Sequence, residues 1–318
     1  MPDLVYSNNS DEKDAVRTNW IAFSREVLPQ NDEHQFKLLT LPSFEMQDLF
    51  EYSRSGLIEL TPTETEAWQV TKGKVFCVEK SAPKFEKLSK KLTYVKSECG
   101  QVCTILNSQE WEKFFPFDTF NLDFDGRLNG SMPNPEDFLN RLFNKQANHR
   151  KTFSFYITFP EASGEENAYI DNLRDVINAE LNDASSNQFN TEFQSHFRDI
   201  NSVPIEELYK MSITKLIIKC GMHYRFKVKK AKFFAYGHSD AASTGEHRRM
   251  IALLYILEYN QNEIPPIAYY HEIMKVFDPI TDLSVPVEHA NTPLTVSRFI
   301  KLPIYLLKQI EYLSFSII

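Results

Sequence analysis

The sequence has little glycine, few cysteines and no excess of basic charge. Only 9 of its 318 residues are glycine, which excludes collagen-like and low-complexity classes. The four cysteines are scattered, form no C-x-x-C pair and do not suggest a disulfide framework. The N-terminal stretch is polar and acidic and is unlike a secretory signal. We therefore expect a reducing, cytoplasmic setting.

One run of basic residues in the second half of the chain is a candidate binding patch. The formal net charge is −8, so no global basic field exists to hold nucleic acid. A local nucleic-acid contact remains a candidate, and the solvated face of a strand is the alternative. The cations of this basic run are Arg225, Lys227, Lys229, Lys230 and Lys232.

An uninterrupted apolar run long enough to cross a membrane is also missing. The most apolar stretch, residues 298–318, contains Lys301, Lys308 and Glu311. A spanning helix needs about 20 mostly apolar residues. We therefore expect no membrane segment, and a C-terminal tail that packs on the domain or docks a protein partner.

Short apolar runs alternate with amphipathic segments as far as Pro160. Strands buried on both faces form continuous apolar runs, and alternating strands and helices indicate a parallel sheet covered on both sides. The pattern therefore predicts an α/β protein with a doubly wound, mostly parallel sheet. The predicted strands lie at residues 36–43, 74–79, 101–107, 117–123 and 152–159.

Helix-start signals support this alternation. Ser43 is a candidate N-cap for the segment that follows the first strand. Asn134 followed by Pro135 is a strong start signal for the helix before the fifth strand.

The second half of the chain has a different organisation. Residues 161–212 are predicted to be a mostly helical insertion with a loop at residues 182–193. Two long strand-like runs follow, at residues 224–237 and 249–260, with a polar loop between them. The loop leaves no room for a crossover helix, so the two runs should pair antiparallel. We predict a disordered N-terminus over 1–14, one domain over 15–260 and a C-terminal extension over 261–318.

The segment NLDFDG contains two acids at the end of the fourth predicted strand. Asp123 and Asp125 are two residues apart, so their side chains share a side if the strand continues. Two close carboxylates repel unless a cation, a proton or a donor lies between them. The pair is a candidate catalytic site, and a simple Asp-Gly turn is the alternative.

Five parallel β–α units closed by an antiparallel hairpin resemble class I S-adenosylmethionine-dependent methyltransferases. The resemblance implies a ligand at the carboxyl ends of the strands. It implies a cofactor loop after the first strand with Thr40, Pro42 and Ser43, although the family's glycines are missing here. Glu79 would bind the ribose hydroxyls, and Asn107 would lie near the adenine. The catalytic loop would then contain Asp123 and Asp125, without the proline pair of the amino-methylating relatives.

Two alternatives remain at the level of the sequence. A catalytically inactive relative would keep the fold and serve as a scaffold or binding subunit, as the missing glycines suggest. The segment LDFDGRLNGS also resembles the motif of haloacid-dehalogenase-type phosphatases. In that case Asp123 would be the nucleophile, Asp125 the acid/base, and Asp278 and Asp282 late metal-binding acids, with Mg²⁺ alongside. None of the eight histidines shows paired zinc spacing.

Overall fold

A computed structural model describes residues 11–29, 34–43, 46–65, 67–93, 95–124, 128–160, 167–237 and 249–283. The strands are β1 (Lys37–Thr40), β2 (Glu59–Pro62), β3 (Trp68–Lys72), β4 (Lys74–Glu79), β5 (Leu92–Thr93), β6 (Lys96–Cys99), β7 (Thr119–Asp123), β8 (Phe153–Pro160), β9 (Phe226–Tyr236), β10 (Met250–Tyr259) and β11 (Ile280–Asp282). The helices are α1 (Asp11–Glu26), α2 (Gln47–Arg54), α3 (Ala82–Lys91), α4 (Val102–Asn107), α5 (Gln109–Glu112), α6 (Leu128–Ser131), α7 (Pro135–Ala147), α8 (Asn167–Leu181), α9 (Asn187–His196), α10 (Ile205–His223) and α11 (Ile267–Glu272). Two 3-10 turns cover Ile200–Ser202 and Ile273–Phe277.

Eight strands form one sheet in the order β11-β9-β10-β8-β7-β1-β4-β6. Within the run β8-β7-β1-β4-β6, each pair of adjacent strands is parallel. β10 lies antiparallel between β8 and β9, so the two long runs of the second half do form one antiparallel pair. The predicted α/β class is confirmed, and this strand order is that of the methyltransferase-type fold. A small separate sheet, in the order β2-β3-β5, was not predicted.

Different parts of the chain cover the two faces of the large sheet. Helices α1, α2 and α3 pack on one face, which we call the α1 face. The other face is buried under α4, α7, α8, α9 and α10 in a core rich in phenylalanine. Residues that pair across parallel strands project from the same face. Leu38, Val75 and Tyr156 are therefore on the α1 face, while Leu39, Phe76 and Phe155 are on the other.

The third predicted strand is wrong. Residues 102–107 form helix α4, and the third parallel strand is the preceding polar segment Lys96–Cys99. A short apolar run such as VCTIL is compatible with a buried strand or a buried helix, because periodicity needs more length to tell them apart. β6 is an edge strand with no fully buried side chain, so it gives no apolar signal.

Two further local predictions are wrong. Ser43 is not an N-cap, because α2 begins at Gln47 and its N-cap position is Met46, without a side-chain cap bond. The predicted loop at 182–193 contains the start of α9, whose Phe189 and Phe193 are buried. In contrast, the Asn134 side chain accepts from the Asp137 N–H at the start of α7, as predicted.

The edges of the predicted domain also differ in the structure. α1 begins at Asp11, within the stretch predicted to be disordered. The helical part after β8 continues to His223 as the buried helix α10. Beyond Tyr259, β11 pairs with β9, and residues 284–318 lie outside the described residues. None of the described helices has the length and hydropathy to cross a membrane, and the cytoplasmic setting stays a prediction.

Candidate functional site at the carboxyl ends of the strands

Glu79 and Asp123 end two strands that flank β1. Thr40, the last residue of β1, pairs with Cys77 on one side and with Asn121 on the other. Glu79 and Asp123 each lie two residues beyond those partners, so both project from the α1 face at the same level. Two interstrand spacings separate them, which corresponds to about 10 Å between their backbones. The sequence therefore placed both acids correctly at one edge of the sheet.

Asp123 forms a partly buried ion pair with the first turn of α1. Lys13 Nζ lies 2.7 Å from Asp123 Oδ2, and the two side chains are 13% and 11% exposed. Burial raises the pKa of Asp123, and Lys13 opposes that shift. Burial disfavours the charge on Lys13, but the attractions of Asp123, Tyr236 and Asp48 together outweigh it and raise the pKa of this amine. The candidate catalytic carboxylate is therefore covered by a cation of its own chain.

A second, more deeply buried ion pair lies beside the first. Arg17 Nε donates to Asp48 Oδ1 at 2.7 Å, and both side chains are 3% exposed. Asp48 is in the first turn of α2, directly after the loop that follows β1. Arg17 also donates to Asp14 at 2.8 Å. The pair with Asp123 connects α1 to β7, and the pair with Asp48 connects α1 to α2. Both elements border the carboxyl edge of the sheet.

The loop after β1 makes a left-handed turn without glycine. Met46 has a φ of 56°, a region that glycine enters at no steric cost, and its side chain is buried in the core. Before it, Pro42 is buried and Ser43 is half-buried. Met46 thus adopts a left-handed conformation without glycine, and Pro42 and Ser43 carry side chains where a glycine would let the backbone approach a ligand.

Several polar side chains near this edge are fully buried and unpaired. Thr40 Oγ1, Thr158 Oγ1 and both amide atoms of Asn121 have no hydrogen-bond partner among the described residues. All three residues project from the α1 face, on the adjacent strands β1, β7 and β8. An unsatisfied buried polar group costs about 1–3 kcal/mol. This row is therefore a polar patch in an otherwise apolar interface.

Glu79 makes a local contact at the start of α3. Its Oε1 accepts from the Ser81 N–H at 2.6 Å, and its carbonyl accepts from the Gly100 N–H at 2.9 Å. Ser81 is the N-cap of α3. The half-buried carboxylate therefore helps to shape the strand-to-helix turn, which is compatible both with a structural role and with a ribose-binding role.

Asn107 is far from its predicted place, because it ends helix α4 rather than a strand. It lines a cavity of about 480 Å³ between α4 and the first turns of α7. Thr104 and Ser108 also line this cavity. So do Asp137 and Arg141 of α7, which form an ion pair at 3.0 Å. Asn107 therefore lies beside a separate depression and not at its predicted place at the end of a strand.

The described acids of the phosphatase alternative, Asp123, Asp278 and Asp282, are not brought together. Asp125 lies outside the described residues. Asp282 is on β11, four strands from β7 in the sheet, and pairs with Arg249 at 2.7 Å. Asp278 precedes β11, and burial raises its pKa. The described part of the chain contains no group of three or more His, Cys, Asp or Glu residues with metal-binding geometry.

Several cations of the basic run are bonded to α1 or to a nearby loop. Lys229 and Lys230 both pair with Glu26, and Lys232 donates to Asn19. Arg225 lies 3.8 Å from Glu263. The contact with nucleic acid through this run, including Lys227, stays a prediction.

Sequence reasoning missed Lys13, Arg17 and Asp48. A signal for Arg17 was present, because it lies beside Val16 and one turn before Trp20 on the buried stripe of α1. A charged residue inside an apolar stripe needs a partner. The sequence could not identify this partner, because Asp48 is on a different helix, α2.

Comparisons with known proteins give distant structural likenesses only. No family model and no curated protein matches the sequence. The plantazolicin methyltransferase BpumL, in complex with a pentazolic desmethylPZN analog and SAH, is 11% identical over 77% of this chain and 84% of its own, with a TM-score of 0.40. An O-methyltransferase of Brevibacillus brevis in complex with S-adenosyl-L-homocysteine is 8% identical over 84% and 79%, with a TM-score of 0.39. The human methyltransferase 10 domain containing protein is 10% identical over 77% and 83%, with a TM-score of 0.32. These scores are low, so the assignment of the fold rests on the observed strand order.

Proposed function

We propose that this protein binds S-adenosylmethionine, or a related nucleotide-like ligand, at the carboxyl ends of β1, β4 and β7. The observation that supports the proposal is the placement of Glu79 and Asp123 on the same face and level, on either side of the end of β1. Open α/β sheets bind ligands at this edge, where the strand order reverses.

The described residues fit the ribose of such a ligand better than its methionine part. Glu79 offers a half-buried carboxylate that can accept hydrogen bonds from two ribose hydroxyls. Pro42 and Ser43 narrow the approach to the backbone of the loop after β1. S-Adenosylmethionine would supply an activated methyl group, and Asp123 is the described residue that would orient the acceptor.

Calorimetric titration with S-adenosylmethionine and S-adenosylhomocysteine tests the proposal. Glu79→Gln should weaken binding about 10-fold or more, because hydrogen bonds to a charged group contribute about 1.5–3 kcal/mol. The matched control is Glu86→Gln on the exposed side of α3, which should bind like the unaltered chain. If neither compound releases heat at high protein concentration, the proposal fails.

A second candidate is a non-catalytic binding subunit with the same fold. The ion pair between Lys13 and Asp123 favours it, because this contact occupies the only described acid that could act on an acceptor at β7. Binding of S-adenosylhomocysteine without transfer of labelled methyl from S-adenosylmethionine to any extract component would support this candidate. Methyl transfer that Asp123→Asn abolishes would exclude it.

A further inference from the structure

Helix α1 is attached to the domain in two different ways along its length. From Val16 onward it is held by apolar packing, since Val16, Trp20 and Phe23 are at most 1% exposed in a core with Tyr156 and Leu254. Arg17 adds the buried pair with Asp48. This part of the helix is a permanent component of the α1 face.

The first turn, residues 11–14, is held by polar contacts instead. Lys13 pairs with Asp123 at the end of β7. Glu12 Oε2 accepts from the Gly237 N–H at 3.0 Å, directly after β9. Asp11 and Asp14 are exposed. Helix ends open at low cost, because the first four N–H groups have no acceptor within the helix.

The contacts of this turn coincide with the edge where the ligand is proposed to bind. With Lys13 in place, the Asp123 carboxylate is covered, and Tyr236 is buried beside the pair. Release of the turn would uncover Asp123 and leave the packing of Val16, Trp20 and Phe23 intact. The opening therefore needs no change in the core.

We propose that the first turn of α1 is a latch over Asp123, closed by the Lys13–Asp123 pair and opened when a ligand occupies the carboxyl edge. The ligand part of this inference rests on the proposed function, whereas the local opening of the turn does not. Because the ligand binds only when the latch is open, the apparent affinity equals the affinity of the open form multiplied by the fraction of molecules that are open.

Amide hydrogen exchange tests the opening without any ligand. The N–H groups of Ala15 and Val16 donate to carbonyls of the first turn, so they report its release. In Lys13→Met their exchange should be about 10-fold faster, together with that of Gly237, while exchange at residues 22–26 is unchanged. Lys232→Met is the control, because Lys232 contacts the middle of the same helix through Asn19. It should leave the first turn protected.

Asp123→Asn gives a second way to open the latch if Lys13→Met does not fold. It removes the charge of the partner and leaves Lys13 free to reach water, and it should produce the same local increase in exchange. Loss of protection along the whole helix in either variant, or no change at Ala15 and Val16 in both, would overturn the proposal.

Titration with S-adenosylhomocysteine then connects the latch to binding. We expect Lys13→Met to bind it about 10-fold more tightly than the unaltered chain, and the ligand to speed exchange at Ala15 and Val16. Tight binding with equal affinity in both proteins would overturn the latch and leave the proposed function intact. Absence of binding to both proteins, with the local opening still seen, would overturn the link between latch and ligand together with the proposed function.

Discussion

Buried hydroxyl groups on the α1 face differ sharply in how they are satisfied. Thr119 and Thr158 are both fully buried on this face, on the adjacent strands β7 and β8. Thr119 Oγ1 bonds to Ser24 Oγ at 3.0 Å and to Ser154 Oγ at 2.8 Å. Thr158 Oγ1 has no partner in the described ranges. A threonine hydroxyl therefore stabilises the protein at position 119 and destabilises it at position 158.

This contrast predicts opposite effects for one substitution. Thr158→Val should stabilise the protein by about 1 kcal/mol, because it removes an unsatisfied hydroxyl and keeps the shape. Thr119→Val should destabilise it by about 1 kcal/mol, because it removes the hydrogen bonds of Thr119 to Ser24 and Ser154. Urea unfolding of the two variants measures both changes. Destabilisation by Thr158→Val would mean that this hydroxyl has a bonding role that the described contacts do not contain.

At the scale of elements, α1 and α2 are joined by a buried charge pair. Arg17 and Asp48 are both 3% exposed, and Leu49 and Tyr52 of α2 are also buried. A buried pair gains little overall stability, because desolvation offsets the attraction, but a single unpaired member is costly. The pair therefore fixes which part of α1 lies against α2.

Single and double substitutions should separate these two effects. Asp48→Leu and Arg17→Met should each destabilise the protein by about 3–5 kcal/mol, while the double variant should recover most of the loss. The exposed pair of Arg141 and Asp137 is the control, with an expected coupling below about 1 kcal/mol. Additive losses in the double variant, measured by thermal unfolding, would contradict this account.

Four of the correctly predicted strands, β1, β4, β7 and β8, share one property. They are mainly apolar segments buried on both faces, so their composition indicates a buried strand. β6 could not be recognised in this way, because its residues Lys96–Cys99 are polar and lie at an edge. Glu79 and Asp123 were found because each ends an apolar run. Lys13 was missed because its role depends on a partner 110 positions along the chain.

At the scale of the whole molecule, the described unit extends past the predicted domain end. Ile273 and Val276 are buried against α10, and Lys210 Nζ donates to the Asp278 carbonyl at 2.7 Å. β11 adds the last strand to the large sheet. Residues 261–283 therefore belong to the core of the unit, whatever the role of the remaining C-terminal residues.

Two shortened chains should show this difference. A chain that ends at residue 283 should unfold cooperatively with a melting temperature close to that of the full chain. A chain that ends at residue 260 loses two buried apolar side chains, each of which contributes about 1.5–3 kcal/mol, a large part of an ordinary stability of about 5–15 kcal/mol. It should melt much earlier in calorimetry or fail to fold. Equal melting temperatures would show that the segment after Tyr259 contributes nothing.

The packing of the first helix against the last long strands affects how the protein is made. Glu12 and Gly237 are in contact but 225 positions apart, and Trp20 and Phe23 share a core with Phe234 and Leu254. A ribosome that adds about 5–20 residues per second needs roughly 10 to 45 s to cover that distance. During this interval the apolar stripe of the nascent helix lacks β9 and β10, which complete its native core. We therefore expect the first segment synthesised to take its final place only after these last long strands have been made.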